Sequence, residues 1–370
     1  MAREPPHRHV ASHPLPNGPA AQPVPAVAGS CFASPDGRWF VFSRTRDALR
    51  VRDTRAADGG WVELESYRDQ PIGRCGRVPP ACAIPLHFSP DGRYLATWWR
   101  GLNLWHLAGG ERRVVRLTTV RDQTRWCPDA TFSPDGRRVA AVIDGDRDWP
   151  REGRPGTVRV WETATGTEAF RFDPPGGATA CAFTPDGTKL VAAHPDTTFS
   201  VWDYRALESL AVRGEGDVWS RLASRDARVG LGAVDALVAD PGAVSLLRER
   251  FRQADAGRVA RLIAELGDED FATREAAERA LAALGERAEK GLSGAAASSP
   301  VPEVRVRAAR LLGPISGPLG VARLRAVRAV EAVERVGTPA ARDLLAEWAN
   351  EGGPALATEA AAALARLNGR

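Results

Sequence analysis

Phe88-Ser89-Pro90-Asp91-Gly92-Arg93-Tyr94-Leu95-Ala96-Thr97 couples a tight turn to an apolar run. The turn recurs. Ser-Pro-Asp-Gly starts at Ser34, Ser89 and Ser133, and Thr-Pro-Asp-Gly at Thr184, so the copies lie 55, 44 and 51 residues apart. Proline presets φ at its turn position, aspartate can bond its own backbone, and glycine accepts a positive φ. The apolar runs that follow are Trp39 to Phe42, Tyr94 to Thr97, Val139 to Val142 and Leu190 to Ala192. Trp105, Trp161 and Trp202 close the last three units, and Arg52 stands at the corresponding place in the first. Self-similarity at this period predicts a repeat architecture.

Each unit reads as a four-stranded antiparallel sheet. Strand a precedes the turn, as in Pro85 to Phe88 or Ala180 to Phe183; strand b is the apolar run; strand c ends at the tryptophan. A turn such as Thr163-Ala164-Thr165-Gly166 leads to strand d, Thr167 to Phe172 in the third unit. One such sheet leaves an apolar face bare, so neighbouring units must pack face to face.

Phe88 to Gly92, Phe132 to Gly136, Phe183 to Gly187, Trp161-Glu162 and Trp202-Asp203 resemble the blades of WD40 β-propellers in the FSPDG form common in bacterial proteins. The resemblance covers about half the chain. It implies a propeller, or an open arc of about four blades, that binds other proteins. Unit one departs from it with Ala33 before its turn and Arg52-Asp53 at its end, and unit two with Trp105-His106. Closed propellers hold about 4–8 blades. Four blades predict a small ring, an open arc, or a fragment of a longer propeller. Free edges near Cys31–Ala33 and at Thr167–Phe172 or Arg205–Val212 would favour self-association.

Beyond Asp217 the period changes to 3.6. Val259, Leu262, Ile263 and Leu266 share one helix face, with Gly267 as the stop. Ala277, Leu281 and Leu284 line a second helix closed by Gly285, and Leu356, Ala360, Ala363, Leu364 and Leu367 line the last. Thr338 reads as an N-cap with Pro339 at the first helical position. Asp268 to Ala277 resembles a HEAT repeat, Pro302 to Ala309 is a weaker match, and Gly337 to Leu345 resembles the start of a third. The expected organisation is a proline-rich tail over 1–29, WD40-like blades over 30–213, and a HEAT-like α-solenoid over 217–370.

Composition sets limits on function. The 370 residues carry 50 Lys+Arg and 46 Asp+Glu, a net charge of +4. Residues 1–216 hold 28 basic and 25 acidic side chains, and 217–370 hold 22 and 21, so neither half has the cationic excess of a nucleic-acid-binding domain. Neither a signal peptide nor a membrane span is read, and five cysteines without metal-site spacing predict thiols in a reducing cytoplasm. Without a P-loop, an H-E-x-x-H or a G-x-S-x-G, no catalytic, cofactor-binding or metal-binding residue is assigned, and a non-enzymatic interaction scaffold is expected.

Two groups of residues are candidates for binding. The connection between strands b and c swells in unit three to Asp144–Gly156, with Arg147, Trp149, Arg151 and Arg154. A second insertion, after strand d of unit one, holds Arg68, Arg74 and Arg77. In an antiparallel four-stranded unit both connections emerge on the side opposite the a–b turns, so the two insertions share one face, and Trp149 is the expected anchor. Arg305, Arg307, Arg310, Arg323, Arg325 and Arg328 form a cationic cluster. Helical-wheel placement sets Arg307 and Arg310 on a solvated face with Glu303, and Arg328 beside Glu331. The alternative is that Arg307, Arg310, Arg323 and Arg325 bind anions, as in a nucleic-acid-binding regulator using residues 303–328.

Overall fold

The computed structural model describes residues 29–44, 49–55, 61–64, 84–98, 101–107, 113–117, 130–143, 156–203, 216–252, 254–316 and 320–368. The β half consists of consecutive antiparallel meanders. Blade one is β1 (Gly29–Ala33), β2 (Trp39–Arg44), β3 (Leu49–Asp53) and β4 (Trp61–Leu64). Blade two is β5 (Ile84–Phe88), β6 (Tyr94–Trp98), β7 (Leu102–His106) and β8 (Arg113–Arg116). Blade three is β9 (Ala130–Phe132), β10 (Arg138–Ile143), β11 (Thr157–Glu162) and β12 (Glu168–Phe172). Blade four shows β13 (Ala180–Phe183), β14 (Lys189–Ala193) and β15 (Phe199–Asp203); its expected strand d, Arg205–Val212, lies outside the described residues.

The four turns are chemically identical. In each, the Ser or Thr hydroxyl donates to the turn Asp, at 2.6 Å from Ser34 to Asp36 and 2.5 Å from Thr184 to Asp186. The Asp in turn accepts the backbone N–H after the glycine, as from Arg38 and Arg137. Gly37, Gly92, Gly136 and Gly187 sit at φ between +66° and +71°, where a side chain would be strained. The turns also stack: a Cβ on Gly92 would lie 2.8 Å from Asp36 Oδ1 of the preceding blade.

The blades pack in sequence, and the strand period of two decides which residues meet. Val41, Leu49 and Val51 of blade one lie against Leu95 and Trp105 of blade two. Ala96, Trp98, Leu102 and Leu104 of blade two lie against Val139, Ala141 and Trp161 of blade three. Ala140, Val142, Val158 and Val160 of blade three lie against Leu190, Ala192 and Trp202 of blade four. Among the described residues the four sheets pack in sequence and do not close into a ring.

The C-terminal half is helical. In order the helices are α1 (Val218–Leu222), α2 (Ala227–Ala239), α3 (Ala243–Phe251), α4 (Ala256–Glu265), α5 (Phe271–Leu284), α6 (Glu289–Ser298), α7 (Pro302–Ser316), α8 (Val321–Val336), α9 (Pro339–Glu351) and α10 (Pro354–Asn368). Side chains cap several helix starts, among them the N-cap expected at Thr338. Asp270 accepts from the Thr273 N–H at the start of α5, and Thr338 accepts from the Ala341 N–H ahead of Pro339. One core joins α4 to α7 through Val259, Leu281, Leu292 and Ala308; a second joins α1–α3 to α8–α10 through Leu237, Val330, Leu344 and Ala360.

In a linear solenoid each repeat touches only its neighbours. Here α8 also packs on α1, α2 and α3, and it is buried from Ala326 through Glu334. Its sequence, Val321-Ala-Arg-Leu-Arg-Ala-Val-Arg-Ala-Val-Glu-Ala-Val-Glu-Arg-Val336, carries six charged side chains, and Arg328, Glu331 and Glu334 are buried along with the apolar ones.

Candidate interaction surfaces

The helical half is docked on the a–b turn side of blades two and three, and the junction is an ionic seam. The Arg328 guanidinium from α8 grips the Glu162 carboxylate at the end of β11, with Nε to Oε1 at 2.9 Å and Nη2 to Oε2 at 2.7 Å. Its Nη1 donates to the carbonyls of Leu222 and Ser224. Arg328 is 0% exposed and Glu162 1%. Gly230 makes room for the guanidinium, since a Cβ there would stand 2.0 Å from Arg328 Cζ.

Further pairs extend the seam. Arg138 Nη2 donates to Glu331 at 2.8 Å. Arg137 lies 2.9 Å from Glu334 at an angle that makes no hydrogen bond, and Arg366 completes Glu334 with two bonds. Arg93 meets Glu359 of α10, and Arg323 donates to His106 Nε2 at 3.2 Å. Apolar contacts fill between the charges: Ala164 with Leu324 and Val327, and Ala169 with Ala227 and Leu231.

Burial and charge oppose each other throughout this seam. Burial alone would raise the Glu162 carboxyl pKa, but the facing Arg328 holds it below the usual range. Glu334 and Glu359 behave alike, held down by Arg366 and Arg137 and by Arg93. Burial beside Arg323 and Arg93 lowers His106 to about 4, so its ring is neutral and accepts the Arg323 proton.

The cationic cluster is thereby redistributed. Arg328 was expected on a solvated face beside Glu331; instead both are buried, and each pairs with blade three. Arg307 bonds Glu303 at 2.6 Å as the i,i+4 spacing predicts, and also reaches Glu275 and Glu278 of α5. Arg310 pairs with Glu278, and Arg325 with Glu286 and the Trp219 carbonyl. The four residues read as the alternative anion ligands, Arg307, Arg310, Arg323 and Arg325, each hold a partner within the chain. Arg305 donates to the Ser299 carbonyl.

Arg68, Arg74, Arg77, Arg147, Trp149, Arg151 and Arg154 lie outside the described residues. The strand ends that flank their loops are described. The connections leaving β4 and β10 start on the side of the sheets opposite the turns, away from the docked helices. A second surface is the outer face of blade four, where Phe199 is 71% and Val201 47% exposed. Sequence reading missed the seam altogether, because its partners are remote in the chain.

Residues 169–203 match the family WD domain, G-beta repeat. The matched unit is similar to a WD40 repeat. It runs from strand d of blade three through strand c of blade four, so one sequence repeat straddles two sheets and ties them together. An uncharacterized WD repeat-containing protein of Synechocystis sp. is 31% identical over 160 residues, which is 43% of this chain and 38% of that protein. The chain thus spans well under half of that relative's length. Among solved structures, the β-propeller domain of Cps50 (Swd1) from Myceliophteria thermophila aligns with 47% of this chain and 52% of its own, at 14% identity and a TM-score of 0.33. No helix among the described residues is long and apolar enough to cross a membrane.

Proposed function

We propose that the chain is a non-enzymatic, cytoplasmic protein–protein interaction scaffold. Its WD40 arc of FSPDG-type blades offers the side carrying the b–c and d–a connections to a protein partner. The helical half, with HEAT-like helix pairs α4–α5 and α6–α7, braces the arc from the turn side. The observation that supports this reading is the one-sided seam. Arg93, Arg137, Arg138 and Glu162 commit the turn side of blades two and three to the helices. The opposite side, with the inserted loops, is left for a partner, and inserted loops on a rigid scaffold are where binding concentrates. Arg147, Trp149, Arg151 and Arg154, with Arg68, Arg74 and Arg77, are the proposed contact residues. The alternative, a nucleic-acid-binding regulator using residues 303–328, is the less favoured reading, because its arginines already meet carboxylates, a carbonyl and a ring of this chain.

The test is affinity capture with the full chain, followed by direct binding of the recovered protein. Trp149→Ala combined with Arg147→Ala should weaken that binding tenfold or more, as loss of a Trp–Arg hot spot does. Unchanged affinity with an intact circular dichroism spectrum removes the loop from the binding site.

A further inference from the structure

Register along the arc divides every blade into two faces. Counting from the turn glycine, the fourth residue of each unit (Val41, Ala96, Ala140, Val191) faces the next blade, and the third (Phe40, Leu95, Val139, Leu190) faces the preceding one. On strand c the residues one and three before the closing position join the forward set: Val51 and Leu49, Leu104 and Leu102, Val160 and Val158, Val201 and Phe199. In blades one to three every member named here is buried under the following blade.

Blade four repeats the pattern without a cover. Val191, Ala193, Phe199 and Val201 occupy the places of Ala140, Val142, Val160's neighbour Val158, and Val160. Val191 is half-buried, and Ala193, Phe199 and Val201 are exposed. Ala180 and Ala182, paired with Ala193 and Val191, extend the apolar face and are exposed too. Chemically this is the same interface that blade three uses against blade four.

The complement of a forward face is a backward face that no blade precedes. Among the described residues that face belongs to blade one. It holds Phe40 and Phe42, both half-buried, with the exposed Ala33 and with Arg52 at the tryptophan's place. The described ion pairs of the helical half with the arc fall on blades two and three, not on these two ends. We propose that the forward face of blade four docks blade one of a second copy of this chain, so that two copies close a ring of eight blades about a two-fold axis. Eight blades fall within the range that propellers close. A two-fold axis uses both ends of both copies, so no apolar face remains and growth stops at two.

The experiment is sedimentation of the full chain across the micromolar range. The expected mass is that of two chains, with no larger species. Phe199→Asp with Val201→Asp, at exposed positions that leave the single chain's core untouched, should weaken association at least tenfold and give one-chain mass at an unchanged melting midpoint. Ala33→Glu with Arg52→Glu on blade one should do the same. An equimolar mixture of the two double variants keeps one good contact per pair, so it should associate more tightly than either variant alone. One-chain mass for the unaltered protein, a two-chain mass that survives both double variants, a mixture no tighter than its components, or a mass that grows without limit each overturns the proposal.

Discussion

Arg328→Ala tests the seam at its most buried point. Arg328 is 0% exposed, and four of its N–H groups are in use: two on Glu162, one each toward the carbonyls of Leu222 and Ser224. Truncation leaves the Glu162 carboxylate, 1% exposed, with the Thr165 hydroxyl donating at 2.7 Å in place of the guanidinium's two bonds. Breaking a buried pair by removing one partner costs about 3–5 kcal/mol, because the other charge stays out of water unpaired. Two orphaned carbonyls act in the same direction. Against a whole-protein stability of about 5–15 kcal/mol, that loss is large.

Urea unfolding followed by circular dichroism reads the effect. The expected result is a midpoint lowered by an amount equivalent to about 3–5 kcal/mol. Gly230→Ala attacks the same contact from the other side, because its Cβ would fall 2.0 Å from Arg328 Cζ. It should cost about 1–3 kcal/mol by displacing the guanidinium. Arg328→Met combined with Glu162→Leu removes both charges, and should recover most of the loss seen with Arg328→Ala. A change under about 1 kcal/mol for Arg328→Ala, or a double replacement as damaging as the single one, would refute the seam as the element joining the two halves.

Two further outcomes are expected. Acid stability should fall in two stages. His106 is neutral in the fold, with its pKa lowered to about 4, while an unfolded histidine titrates near ~6.5; stability is therefore full above that value and declines toward pH about 4. Glu162, Glu334 and Glu359 are also lowered, so their share is present above about 4.5 and lost below it. His106→Gln, which still accepts from Arg323, should flatten the first stage and spare the second; a denaturation series from neutral pH downward that shows no difference would contradict this. In the helical half, Leu281 is fully buried and Leu284 half-buried. Leu281→Ala should cost about 2–5 kcal/mol and Leu284→Ala less, and calorimetry showing the reverse order would put α5 on the wrong face.

What sequence discloses here follows from the range of each interaction. The blades are legible because their causes are local. Ser34, Asp36 and Gly37 close their turn within four residues, and Val139 to Val142 announces a strand by itself. Asp270 and Thr338 mark helix starts by the same local logic. The seam is not legible because its partners are remote: 166 positions separate Arg328 from Glu162, 193 separate Arg138 from Glu331, and 266 separate Arg93 from Glu359. A glutamate on a helix is written the same way whether it meets water or an arginine from another domain. The i+3 spacing of Arg328 and Glu331 suggested a pair that the fold does not use, because each finds a closer partner across the junction.

The seam nonetheless has a precedent inside the arc. The residue after the closing position of strand c accepts an arginine in three blades. In blade one it is Asp53, and the arginine is Arg38 from the blade's own turn, with Nη2 at 2.9 Å from Oδ2. In blade two it is His106, and the arginine is Arg323; in blade three it is Glu162, and the arginine is Arg328. The turn arginines of blades two and three, Arg93 and Arg137, reach instead for Glu359 and Glu334. A contact that closes blade one on itself is thus exchanged between domains in blades two and three, the helices supplying cations to the strand-c acceptors and carboxylates to the released turn arginines. Three of these exchanged contacts, Arg328–Glu162, Arg93–Glu359 and Arg137–Glu334, match a cation with a carboxylate, and the fourth sets Arg323 against the neutral His106 ring. The matched pairs lower the cost of burying these ionised groups, and they seat the helical half on the two middle blades, where the exchanged contacts lie.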